Sequence, residues 1–194
     1  LDTDFTATVD AGSVAAADLN NISAATEGTV TATAATAITG TSTAVAAVVA
    51  DGQISVDGNY TVTLTGSAAA ADIIAIDADT SGHITASAVT ALTGTAANVA
   101  TVVATDGDAG VGDKISLDGD YTVTLTGAAA AGHIIAIDAN TSGHITGTGI
   151  TTFTGTAANI ATVVATEGDS GSNKINLDTD FTATVDAGSV AAAD

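Results

Sequence analysis

The residues best placed to do chemistry are carboxylates in glycine-rich loops. Asp106-Gly-Asp-Ala-Gly-Val-Gly-Asp113 sets Asp106, Asp108 and Asp113 among three glycines, and Glu167-Gly-Asp-Ser-Gly171 puts Glu167 and Asp169 in the matching place. Hard oxygen ligands suit calcium, and glycine allows the sharp turn such a loop needs. Both loops are therefore candidate calcium sites, against the plainer reading of a solvated acidic turn. A second pair, Asp77-Ala-Asp-Thr-Ser-Gly82 and Asp138-Ala-Asn-Thr-Ser-Gly143, matches the front half of a calcium loop through Asp77, Asp79, Asp138 and Asn140. The bidentate acid expected at the twelfth position is missing, since Ala88 and Gly149 stand there. The plainer reading is a helix end with a left-handed glycine cap at Gly82. Calcium is thus the one cation these residues suggest, and no cofactor is required.

Other chemistry is thinly represented. His83 and His144 occupy equivalent places, His133 lies in an alanine-rich run, and no His-x₃-His spacing occurs. Structural turn residues are expected there rather than metal ligands. No Gly-x-Ser-x-Gly elbow or triad context selects a nucleophile. Without cysteine there are no disulfides or thiolate zinc sites. With two lysines, no arginine and 22 acids, the net charge is −20. Such a chain offers phosphates no basic surface, so nucleic acid is excluded as a partner. The absence of Met and Trp, with two Tyr and three Phe, argues against a roomy ligand pocket. The sequence points to no catalytic residue, and the protein is expected not to be an enzyme. No run of 18 apolar residues occurs, so no membrane-spanning segment is expected. The first residue is Leu1, and no signal peptide precedes the repeats, which suggests a piece of something longer.

The elements that must position these residues are repeats. Gly58-Asn-Tyr-Thr-Val-Thr-Leu-Thr-Gly66 recurs from Gly119 to Gly127, Ser81-Gly-His-Ile-Thr85 from Ser142 to Thr146, and Thr93-Gly-Thr-Ala-Ala-Asn98 from Thr154 to Asn159. All three share one offset of 61 residues. Leu1 to Asp18 is identical to Leu177 to Asp194. The organisation is a diverged unit at 1–56, full units at 57–117 and 118–176, and the start of another at 177–194.

Each unit divides into halves of about 30 residues. Tyr60-Thr-Val-Thr-Leu-Thr65 alternates apolar and threonine, which is a strand with one buried face. Ile84 to Thr93 reads as a weaker strand. Ser67 is a plausible cap for a helix over the Ala68 to Ile76 run, and Thr95 for one over Ala96 to Val103. Strand and helix in alternation imply parallel strands with right-handed crossovers. The expected fold is an α/β repeat solenoid of stacked strand–helix half-repeats on a parallel sheet, with an all-β parallel β-helix as the alternative. Outward threonines (Thr61, Thr63 and Thr65, then Thr122, Thr124 and Thr126) form regular rows that resemble the surface of some ice-binding proteins.

The phrases Ser13-Val-Ala-Ala-Ala-Asp-Leu-Asn-Asn-Ile22, Ile38-Thr-Gly-Thr41 and Thr93-Gly-Thr-Ala-Ala-Asn98 resemble tandem repeats in very large secreted surface proteins of marine cyanobacteria and other bacteria. The resemblance runs over essentially the whole chain and implies an extracellular or cell-surface setting and no enzymatic activity. The expected function is a structural repeat protein of a filament, sheath or surface layer, with itself as partner through head-to-tail stacking. The alternatives are a calcium-stiffened adhesin stalk and an ice-binding module.

Overall fold

The computed structural model describes residues 3–106, 115–168, 175–177 and 180–187. It divides into two compact units: Leu1–Val89 with Thr105–Leu117, and Thr90–Ala104 with Asp118–Asp194. Among the described residues there are six helices, and the strands pair in parallel. The fold is α/β, and the helices set aside the all-β alternative.

In the first unit the chain alternates strand and helix: β1 (Ala7–Thr8), β2 (Gly12–Ala15), α1 (Ala16–Ala25), β3 (Val30–Ala32), β4 (Ala35–Gly40), α2 (Ser42–Ala50), β5 (Ile54–Val56), β6 (Thr61–Ala69) and α3 (Ala70–Asp79). The first half of β7 (Ile84–Thr95) and β8 (Ile115–Leu117) complete it. Pairing follows rungs, each a short strand, a bend and a longer strand. Ala7 lies opposite Val30, which lies opposite Ile54; Val14 lies opposite Ile38, which lies opposite Val62.

The second unit repeats the plan with the rest of β7, α4 (Ala96–Ala104), β9 (Thr122–Ala130), α5 (Ala131–Asn140), β10 (Ile145–Gly155), α6 (Ala157–Ala165), β11 (Ile175–Leu177) and β12 (Thr182–Val185). Leu92 faces Val123, Val123 faces Ile145, and Phe153 faces Ala183. The rungs are therefore unequal in length. Partners stand 24 residues apart where the turn is tight (Ala129 to Phe153) and 31 where a long acidic loop intervenes (Leu92 to Val123). The expected uniform half of about 30 residues matches the longer of these spacings and not the shorter one.

The strand chemistry is as the alternation requires. Tyr60, Val62 and Leu64 are buried while Thr61, Thr63 and Thr65 are exposed; Tyr121, Val123 and Leu125 repeat this against Thr122, Thr124 and Thr126. Ile73 and Ile76 of α3, one helical turn apart, are fully buried, as are Ile134 and Ile137 of α5. The core is thin, and its largest fully buried side chains among the described residues are Tyr60, Tyr121 and Phe153.

Two expectations about helix ends need correction. Ser67 lies inside β6, and α3 begins after Ala69, which makes no side-chain cap. The strand runs on to Ala69, whose N–H is met by the Ser42 hydroxyl of the preceding rung at 3.2 Å. The Thr95 hydroxyl does cap α4, accepting from the Asn98 N–H at 3.2 Å. Gly82 is not left-handed; the glycines at φ 78° are Gly66 and Gly127. A different constraint holds Gly82: a Cβ there would lie 2.0 Å from the Tyr60 carbonyl oxygen.

Candidate functional site

That close approach belongs to a clasp built the same way three times. The Thr80 hydroxyl donates to the Tyr60 carbonyl at 2.5 Å and accepts from the Gly82 N–H at 3.0 Å. Thr141 does this between the Tyr121 carbonyl and the Gly143 N–H, at 2.6 and 3.0 Å. Thr26 does it between the Phe5 carbonyl and the Gly28 N–H. Thr80 and Thr141 are almost fully buried. Each clasp ties the end of a helix to the strand that begins the preceding rung, so its function is to fasten rung to rung. Helices add a second tie: the Ser42 and Thr43 hydroxyls of α2 donate to the Asp72 carboxylate of α3 at 3.1 and 3.0 Å.

Two of the candidate calcium oxygens are engaged by tyrosine. The Tyr60 hydroxyl donates to the Asp79 carboxylate at 2.7 Å, and the Tyr121 hydroxyl to the Asn140 side-chain oxygen at 2.5 Å. Burial first, then the Asp79 carboxylate, pushes the Tyr60 phenol far above its usual range. Asp77 and Asp79 stand in the last turn of α3, and Asp138 and Asn140 in that of α5. Side chains two apart on a helix point to different sides, so neither pair is brought together. The sequence held a signal for the tyrosine contacts: where the repeat carries Phe5, the position before Thr26 is Ala25.

The acidic loops are described only at their edges. Asp108, Asp113 and Asp169 lie outside the described residues. Asp106 bridges to Ile115, and its carboxylate accepts from the Leu117 N–H at 2.8 Å. Glu167 bridges to Ile175 and, with His144, Gly168 and Asn176, lines an open cleft of about 240 Å³. Among the described residues no three His, Asp or Glu side chains converge as a metal site.

The sequence also did not reveal that His83 meets Ser116, with Nε2 3.2 Å from the hydroxyl. Such a pair could in principle couple a base to a nucleophile. In the second unit the matching strand position is Asn176, which carries no hydroxyl, and His144 instead meets Thr146 at 3.3 Å. His133 is exposed on α5. The histidines thus join strand side chains differently in each copy.

Two carboxylates have shifted acidities. The Ser23 hydroxyl and then the Gln53 N–H hold Asp51 below its ordinary value. Burial raises Asp138, whose Oδ1 is enclosed without a hydrogen-bond partner. An acid with a raised folded pKa binds its proton more readily folded than unfolded. It therefore opposes folding at neutral pH, and the penalty is relieved as pH falls through the raised value. Asp138→Asn should raise the melting temperature at pH 7 by roughly 1–2 °C, a figure discounted for the partial exposure of the group. Calorimetry should show the advantage shrinking toward the acid limb; an equal gain at every pH would refute the assignment.

No family model matches the chain, and no curated protein or solved structure matches it.

Proposed function

We propose that the chain is a non-enzymatic structural repeat protein, a solenoid of stacked strand–helix rungs that contributes to an extracellular filament, sheath or surface layer by head-to-tail stacking. The observation that carries this reading is the threonine–glycine clasp. Three copies spend buried polar groups on fastening one rung to the one before it. A module whose recurring chemistry is directed at its neighbours in the chain is suited to propagation. Contact between unlike ends is heterologous and leads to open assemblies. The setting outside the cell rests on the resemblance of Ser13 to Ile22 and its companion phrases to secreted surface repeats. No helix is long and apolar enough to cross a membrane among the described residues.

Purified protein should form fibres or sheets in negative-stain electron micrographs, with scattering mass that rises with concentration. A single monomeric species at every concentration would refute the reading. The exposed threonines favour a second one, an ice-binding face: Thr95 pairs with Thr126, and Thr124 lies opposite the half-buried Thr93. Thermal hysteresis would separate the two, since the structural reading expects none.

A further inference from the structure

The dipeptide Asp-Gly occurs at Asp51, Asp57, Asp106 and Asp118. It carries a chemistry of its own. The glycine nitrogen can attack the side-chain carboxyl before it, because glycine has no Cβ to obstruct the approach. Gly107 lies outside the described residues, and the structure treats the other three pairs differently. Asp118 and Gly119 are exposed in the turn that precedes β9, and nothing lies within 4 Å of a Cβ placed on Gly119. The Gly119 N–H donates to Asp118 Oδ1 at 2.9 Å, which sets the nitrogen beside that carboxyl. Asp57-Gly58 is the repeat counterpart ahead of β6 and is exposed in the same way. Asp51 is engaged elsewhere. Its Oδ2 accepts from the Ser23 hydroxyl at 2.6 Å and its Oδ1 from the Gln53 N–H at 2.9 Å. These bonds favour the ionised form, which is the unreactive one, since its oxygen cannot leave as water.

Both exposed pairs also hold the following rung. The Gly119 carbonyl accepts from the Ser142 N–H at 2.7 Å and from the Ser142 hydroxyl at 3.0 Å. The Gly58 carbonyl accepts from Ser81 in the same two ways, at 2.8 and 3.0 Å. Ser142 and Ser81 directly follow the clasp threonines Thr141 and Thr80. A change in the main chain at either pair therefore acts on a tie between rungs.

We propose that Asp118-Gly119, and with it Asp57-Gly58, is a self-modification site at which the chain isomerises and unfastens the following rung. The Gly119 nitrogen bonds to Cγ of the protonated Asp118 carboxyl. The side-chain hydroxyl leaves with the N–H proton as water, and a succinimide ring closes. Water then adds to the ring. Addition at Cγ restores aspartate. Addition at the Asp118 main-chain carbonyl carbon breaks its bond to nitrogen and gives isoaspartate. No oxidant or cofactor takes part. The main chain then runs through Cβ and Cγ and is longer by one methylene, so the Gly119 carbonyl moves off Ser142. This chemistry goes beyond self-stacking and does not depend on it.

The full chain, aged at neutral pH in heavy-oxygen water and mapped by proteolysis and fragment mass spectrometry, tests it. Asp118 and Asp57 should gain label from ring opening, and Asp51 should not. In denaturant, where Ser23 and Gln53 no longer hold it, Asp51 should gain label too. Gly119→Ala, whose Cβ meets nothing within 4 Å, should keep the fold and label Asp118 at least about tenfold more slowly. Asp118→Asn should react faster than the parent, since ammonia leaves more readily than water. The purified isoaspartyl fraction should melt roughly 2–4 °C below the parent. No label at Asp118, equal label at Asp51 in the folded chain, or an Asp51 unlabelled even in denaturant would each overturn the assignment. An isoaspartyl fraction with the parent's melting temperature would overturn the unfastening.

Discussion

Gly143→Ala is expected to lower the stability of the chain by about 3 kcal/mol, the upper end of what forcing extra atoms into a packed site costs. The added Cβ would lie 2.0 Å from the Tyr121 carbonyl oxygen, 2.6 Å from its carbon and 2.8 Å from the Asp120 carbonyl oxygen. All three are backbone atoms, so no rotamer change can relieve the clash. The remedy is to push α5 and its trailing turn away from the start of the rung. That would stretch the Thr141 clasp, whose two bonds span 2.6 and 3.0 Å. Gly119→Ala is the control, because a Cβ there meets nothing within 4 Å. Urea denaturation should show a large drop in the midpoint for the first variant and almost none for the second. Equal midpoints would mean that the close approach of the two rungs is not a feature of the folded chain.

Thr80→Val should cost about 2–4 kcal/mol although it preserves side-chain shape. The Thr80 hydroxyl is at once donor to the Tyr60 carbonyl and acceptor from the Gly82 N–H. Thr80 is 3% exposed, so water does not readily replace it. A valine methyl answers neither group, and leaving a buried backbone donor or acceptor unmet costs about 1–3 kcal/mol each. Thr80→Ser retains the hydroxyl and gives up one methyl, a loss of about 1 kcal/mol. Thermal unfolding should therefore rank the parent above Ser and Ser well above Val. If Val equalled Ser, the hydroxyl would not be what fastens the rung.

Both variants act on a device that was only half legible in the sequence. The Thr-Ser-Gly phrase is plain at Thr80 and Thr141, and its spacing suggested a calcium loop or a helix cap. Local pattern could not separate these from the actual use, because the partner is a backbone carbonyl 20 residues away. The strands were more accessible: Thr61 to Leu64 alternates strictly, and alternation needs only two faces of unlike polarity. Helix starts were legible where a threonine caps its own helix, as Thr95 does, and illegible at α3, where the Ala69 N–H is met by Ser42 of another rung.

The sequence by itself determined the repeats, the alternating strands with their outward threonine rows and the identity of the two eighteen-residue segments, and it left an all-β helix open beside the α/β class. These follow from periodicity, which is a property of the chain alone. Only the tertiary structure decided that rungs are of two lengths, that Gly82 and Gly143 are required by a neighbouring carbonyl and not by a turn, and that Asp79 and Asn140 serve tyrosines. Each of these depends on which backbone lies within about 3 Å of a given group, a fact that folding creates and no spacing along one strand contains.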